Sequence, residues 1–156
     1  MGDGEIMLRQ TDKILPEAIQ KWGCYFMSVL YHAETKRMRP FWADEIISIY
    51  KACMATGVIG KEVFKDGKLI DGCFVNDPVS LFSIAGVRVS TVLKMDAKYK
   101  AGTGEIELLC FHRPAGPNNS EHTHFVPGVD GKPIWDPIDN SNTVRYGYLK
   151  SKRIFK

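Results

Sequence analysis

Apolar and polar positions divide this chain into a helical first half and a strand-rich second half. From Cys24 the run CYFMSVLYHAETKR has few helix breakers and is apolar almost all round for two turns, which predicts a central, buried helix. It turns polar at His32, where the helix is expected to emerge into solvent. Residues 41–57, FWADEIISIYKACMATG, carry Ile46, Ile47, Tyr50 and Met54 at helical spacing and close on Gly57, which predicts an amphipathic second helix. Upstream, Pro16-Glu17-Ala18-Ile19 can open a helical turn that Gly23 interrupts. Asp77-Pro78 places a capping Asp and a first-turn Pro ahead of VSLFSIAG, the mark of another helix start.

Residues 58–77 break into short pieces with turns at Asp66-Gly67 and Asp71-Gly72. After Gly86 the period changes. VRVSTVLKM alternates and is rich in β-branched residues, as is EIELLCF, and HFVPGV and KPIWDP follow as short strands. The tail TVRYGYLKSKRIF alternates again and predicts a last strand. Helices first and antiparallel strands second predict an α+β fold with segregated layers rather than alternating βαβ units.

Composition narrows the picture. At 156 residues with a 44% hydrophobic share, the chain is expected to form a single domain, 1–156, with its own core. A net charge of +3 is too small to argue for nucleic acid. The clusters Lys36, Arg37, Arg39 and Lys150, Lys152, Arg153 read as solvated surface. The first twenty residues hold no apolar stretch fit for a signal peptide or a spanning helix, and Ile6 breaks the acylation pattern that Gly2 suggests. A cytoplasmic protein without a membrane partner is expected. The four cysteines, 24, 53, 73 and 110, form no CxxC pair and no short metal spacing, so thiols are expected, with no metal and no cofactor.

Cys24 differs from the other three in its place. It follows Gly23 and heads the buried helix, where backbone N–H groups and the helix dipole favour a thiolate. Its own N–H can serve as one oxyanion donor, and Gln20, four residues upstream, is the nearest side chain able to supply a second. A cysteine nucleophile needs a histidine as base, and that histidine needs a third group to fix its tautomer. HTHFVPGVDGKPIWDP offers both. With paired positions summing to 260, His124 lies opposite Asp136, which requires a three-residue loop at 129–131. A two-residue Asp-Gly loop gives a sum of 261 and turns Asp136 away, unless the chain leaves the strand irregularly at Trp135-Asp136-Pro137. His122 shares its neighbour's face and is second choice. His32 lies about 12 Å along the helix from Cys24, too far for a base, and His112 is expected on the surface.

A cysteine heading a central helix, then a histidine and an aspartate on successive strands, resembles the papain-like cysteine peptidases. The matching stretches are Gln20-Lys21-Trp22-Gly23-Cys24, His124-Phe125-Val126 and Trp135-Asp136-Pro137, and they look most like the compact bacteriocin-leader-processing branch. The tail, around Val144-Arg145-Tyr146-Gly147, is similar to small phage and bacterial proteins of this type. The resemblance implies a papain-like fold, with a central helix packed on a C-terminal antiparallel sheet. It implies Cys24 as nucleophile, His124 as base, Asp136 as its orienter and Gln20 as an oxyanion donor. The Gln-to-Cys spacing is shorter than that family usually shows, so Gln10 is the alternative donor.

The implied activity is hydrolysis of an amide in a peptide, an isopeptide or a peptidoglycan stem. Two other classes share these features. Transglutaminase-like and arylamine acetyltransferase-like acyl transferases use the same Cys-His-Asp order, and a non-catalytic binding or inhibitory module can keep such a scaffold. Specificity is expected to reside in 58–77 and 111–121.

Overall fold

The computed structural model describes residues 7–63 and 66–156; Gly2 and Ile6, which bear on acylation, lie outside them. Twelve elements follow in order among the described residues: α1 (Glu17–Trp22), α2 (Cys24–Arg37), α3 (Ala43–Thr56), β1 (Ile59–Val63), β2 (Leu69–Val75), α4 (Pro78–Ile84), β3 (Val92–Asp96), β4 (Ile106–Arg113), β5 (His122–Val129), β6 (Lys132–Pro133), α5 (Asn142–Tyr146) and β7 (Tyr148–Phe155). The fold is α+β, with helices leading and antiparallel strands following. Strands β3-β7-β4-β5-β6 form one sheet, antiparallel throughout, while β1 and β2 pair as a separate hairpin.

Helix α2 occupies the middle because its residues leave it no alternative. Phe26, Met27, Val29, Leu30 and Ala33 are all fully buried. A helix apolar on every side is stable only when neighbours cover every side, and each large side chain so covered contributes roughly 1.5–3 kcal/mol. The sheet covers it through Ile106, Leu108 and Phe155, and Phe82 of α4 meets Phe155 edge-on at 4.7 Å. The polar end is buried further than expected. His32 and Glu34 are both inside, His32 Nε2 lies 2.7 Å from the Glu107 carbonyl oxygen, and the helix reaches solvent only at Thr35. The strands lie alongside this turn and supply a polar partner, which an end-on view of one helix cannot anticipate. Burial outweighs that contact and holds the His32 imidazole down at about 4.

Local chemistry sets the helix ends. Asp77 accepts from the Ser80 N–H at 3.1 Å to cap α4, and Gly57 closes α3 in the left-handed conformation, φ 77°. Gly23 both ends α1 and starts α2, donating its N–H to the Ile19 carbonyl and accepting from Met27. A Cβ there would run into the Ile19 carbonyl oxygen and side chain, so only glycine lets the two helices meet.

Four strand assignments change. Asp71-Gly72 lies within β2, leaving Asp66-Gly67 as a turn between β1 and β2, because pairing of the two arms overrides the local turn signal. Residues 87–91 remain outside β3, which begins at Val92. The tail does not alternate as one strand: Ser141 accepts from the Val144 N–H at 3.3 Å and caps the short helix α5 before β7 starts. The reason is burial, since β4 is covered on both faces and α5 brings Val144 over Leu109, Phe111 and Val126 as a second cluster. β6 is only two residues long.

Two surface readings are also corrected. Lys152 is 3% exposed and pairs with Glu107 at 3.1 Å, and its neighbour Arg153 is half-buried. His112 is buried between Thr123, at 3.4 Å from its Nδ1, and the Tyr148 ring. Strand β7 runs inside the sheet between β3 and β4, so residues that look like a basic tail are in fact central. Among the described residues, no helix is long and apolar enough to cross a membrane.

Candidate active site

The β5–β6 turn decides where Asp136 goes. Register pairs Gly128 with Pro133 and Val129 with Lys132, a sum of 261, so the loop has two residues rather than the expected three. Asp130 and Gly131 take φ of 53° and 76°, both left-handed, as a type I′ turn requires. Continued pairing would set His124 against Pro137. The chain instead leaves the sheet after Ile134, whose N–H bonds the Pro127 carbonyl at 3.0 Å. This irregular exit brings Asp136 back onto His124, with His124 Nε2 donating to Asp136 Oδ1 at 2.8 Å.

Asp136 sits in a nest of donors. Oδ1 also accepts from the Ile138 N–H at 2.9 Å, and Oδ2 accepts from the Ser141 N–H at 3.0 Å. Burial alone would raise this carboxyl, but the bonds from His124, Ile138 and Ser141 and the imidazolium charge hold it well below the usual carboxylate range. An ionised Asp136 can only accept, so the His124 proton on that side is fixed on Nε2. Nδ1 is then the nitrogen left to meet a thiol. It is buried and has no hydrogen-bond partner of its own, and Cys24 lines the same cleft. Burial works against a charged His124 ring. The bond to Asp136, the nearby Cys24 sulfur and the charges of both prevail and carry it up to about 9.

Ser28 links the helix that Cys24 heads to the strand that carries His124. Its hydroxyl lies 2.7 Å from the Cys24 carbonyl oxygen and 3.2 Å from that of Phe125, sharing one proton between them. Tyr25 meets Phe125 edge-on at 4.8 Å in the same layer. Cys24 itself is half-buried, whereas Cys53, Cys73 and Cys110 are buried, and all four are free thiols.

The two glutamines have separate fates. Gln20 does not reach the site, because its side-chain amide turns back within α1 and donates to the Leu15 carbonyl at 2.8 Å. Gln10 reaches it. Its N–H bonds the Pro137 carbonyl at 2.9 Å, and its Nε2 gives one hydrogen to the Gln20 carbonyl at 3.2 Å. It lines the cleft beside Cys24 and His124, with Oε1 buried and unpartnered. Arg9, next to it, clamps the Asp136 turn: Nε donates to the Asp136 carbonyl at 3.1 Å and the guanidinium lies over the Trp135 ring. Sequence reasoning missed Arg9 altogether, since no local spacing relates it to a turn 127 positions away.

The cleft has a volume of about 670 Å³ and runs from Cys24 and His124 past β2 and β3. Residues 58–77 contribute to its wall through Glu62, Phe74 and Asn76, whereas the 111–121 loop does not line it. His122 is exposed at the cleft and, unlike His124, has no carboxylate to orient it among the described residues. Among the described residues, no group of three or more His, Cys, Asp or Glu is placed to hold a metal ion.

The sequence profile of the family described as "Protein of unknown function, DUF261" matches residues 6–156. The chain belongs to that family. No curated protein and no solved structure matches it. For this DUF261 member the site is therefore defined by its own geometry: a thiol at a helix head, an oriented imidazole and an amide, all lining one cleft.

Proposed function

We propose that the chain is a papain-like cysteine hydrolase that cleaves an amide bond. The observation that carries this reading is the His124–Asp136 pair beside Cys24, with Nε2 engaged at 2.8 Å and Nδ1 unpartnered. An imidazole whose far nitrogen is held by a carboxylate keeps its near nitrogen free to take a proton from a thiol. A ring that stays protonated up to about 9 is the natural counter-ion of a thiolate at neutral pH.

The reaction then follows from the groups present. The Cys24 thiolate attacks the carbonyl carbon, and the C=O electron pair moves onto oxygen. The Cys24 N–H at the head of α2 and the Nε2 hydrogen of Gln10 not given to Gln20 are the donors assigned to that oxyanion. The imidazolium gives its proton to the departing amine as the C–N bond breaks, leaving an acyl-enzyme. His124 next takes a proton from water, the hydroxyl attacks the thioester, and the thiolate leaves. Gln10, not Gln20, is the side-chain donor in this scheme, because Gln20 spends its amide on Leu15.

The test is alkylation with iodoacetamide near neutral pH, followed by mass mapping of all four cysteines. Burial pushes the Cys53 thiol up to about 11 and also raises Cys73, to which the neighbouring Cys24 and Cys53 charges add. Cys24 should be modified first, and His124→Ala should slow it by about tenfold or more, the usual scale of a lost base. Equal, slow modification of all four would overturn the reading.

A further inference from the structure

The chemistry of Cys24 and His124 does not account for the charge of the cleft they share. Beyond His124 the cleft is bordered by Lys21, Lys94 and Arg153 against one carboxylate, Glu62. Lys21 is already neutralised by Glu17 at 2.7 Å. Lys94 and Arg153 have no carboxylate within salt-bridge distance among the described residues, yet they are direct cross-strand partners in β3 and β7. Like charges placed opposite each other in a sheet destabilise it, and nothing in the packing of these strands requires two cations there.

Arg153 is also held in place rather than left to wave in solvent. Its Nη1 donates to Ser151 Oγ at 3.0 Å, and its guanidinium lies 5.3 Å from the centre of the Phe125 ring. Phe125 follows His124 directly and packs on Tyr25, which follows Cys24. An oriented guanidinium is thus set one residue away from both reactive side chains. Trp22, Phe74, Val75 and Val92 make the adjoining walls apolar, which strengthens any ion pair formed between them.

We propose that Lys94 and Arg153 form a carboxylate-binding subsite, so that the cleft selects amide substrates carrying an acidic group one or two residues from the bond to be cut. The assignment rests on reading Cys24 and His124 as the hydrolytic centre, but binding can be measured without turnover. The carboxylate can belong to an acidic side chain or to a chain terminus; both present the same planar anion to a guanidinium.

The experiment uses the full chain with Cys24→Ala, which binds but cannot react. Acetylated, amidated alanine hexapeptides with one glutamate at each position in turn are titrated by calorimetry, beside their glutamine counterparts. At one position the glutamate peptide should bind about tenfold more tightly than the glutamine peptide, the scale of one partly desolvated charge pair. Arg153→Gln should abolish that preference and Lys94→Gln should reduce it, each read as the ratio of glutamate-peptide to glutamine-peptide affinity within the same variant. Arg153→Lys should retain part of it. Lys150→Gln, an equal charge change outside the cleft, should leave it intact. An alanine peptide with a free α-carboxylate distinguishes the two sources: tighter binding than its amide assigns the subsite to chain ends. Equal affinity for every charged and neutral pair, absence of binding included, overturns the proposal, as does a preference that survives the Lys94→Gln/Arg153→Gln double substitution. Failure of the hydrolytic reading shows elsewhere, as unselective alkylation of Cys24 in the unsubstituted protein.

Discussion

Two acid–base pairs flank the β5–β6 hairpin, and they are built to opposite ends. Glu107 and Lys152 meet at 3.1 Å beneath the turn, both almost fully buried. Every polar atom of that pair is occupied: the Glu107 carboxylate also accepts from the Asp130 and Gly131 N–H groups at 2.9 and 3.1 Å, and Lys152 also donates to the Tyr99 carbonyl at 2.8 Å. His124 and Asp136 meet at 2.8 Å beside the cleft, with the carboxylate saturated and one ring nitrogen left over. A buried pair with all its partners fixes a backbone; a pair with one vacancy facing a cleft can move a proton. The first holds the two-residue turn, and the second uses the exit from the strand which that turn dictates.

Breaking the saturated pair should have the largest effect. Lys152→Met keeps the stem and removes the charge, leaving Glu107 buried without its counter-ion. A loss of about 3–5 kcal/mol in unfolding free energy is expected by denaturant titration, with a melting temperature lower by about 10 °C or more. The alkylation rate of Cys24, measured well below that transition, should hold. A rate that falls with Lys152→Met would erase the division between a structural and a chemical pair.

Asp136→Asn should have a smaller, pH-dependent effect. His124 is raised above its ordinary value, so its contribution to stability is complete below about pH 6.5 and fades as pH climbs through about 9. Asp136 is lowered, so its contribution is present above about pH 4 and fades as pH falls further. The stability gap between the unsubstituted protein and Asp136→Asn should therefore be widest between about pH 4 and 6.5, on the order of 2 kcal/mol, and narrow toward pH 9. A gap independent of pH would mean that the Ile138 and Ser141 bonds alone matter.

The two glutamines should separate in rate rather than in stability. Gln10→Ala is expected to slow any amide hydrolysis by about a hundredfold with little change in Cys24 alkylation, because alkylation forms no oxyanion. Gln20→Ala should change the hydrolytic rate by less than about threefold, its amide being a local brace within α1. Equal losses would remove Gln10 from the mechanism.

Legibility in the sequence followed the range of the forces involved. Helix α2 begins at Cys24 and runs to Arg37 as its apolar pattern predicts, because a helix is written in contacts three and four residues apart. The Asp77 cap and the Gly57 stop were legible for the same reason. The extent of α5 was not, since TVRY alternates like a strand and becomes helical only through the Ser141 cap and the need to cover β4. Lys152 reads as surface in a run of basic residues, and only its place between two strands shows it to be buried.

The sequence by itself determined the helices, the antiparallel second half and the choice of Cys24, His124 and Asp136 as residues worth bringing together. Their chemistry is carried by residue type and by position at an element's end, both of which are local. Only the tertiary structure decided how they meet. Of the two routes open to Asp136 it took the two-residue turn with an irregular exit over the three-residue loop, it chose Gln10 over Gln20, and it turned a basic tail into one buried ion pair and one cation without a carboxylate partner among the described residues. Each of these depends on backbone segments far apart in sequence, where hydrogen bonds and burial, rather than spacing, set the outcome.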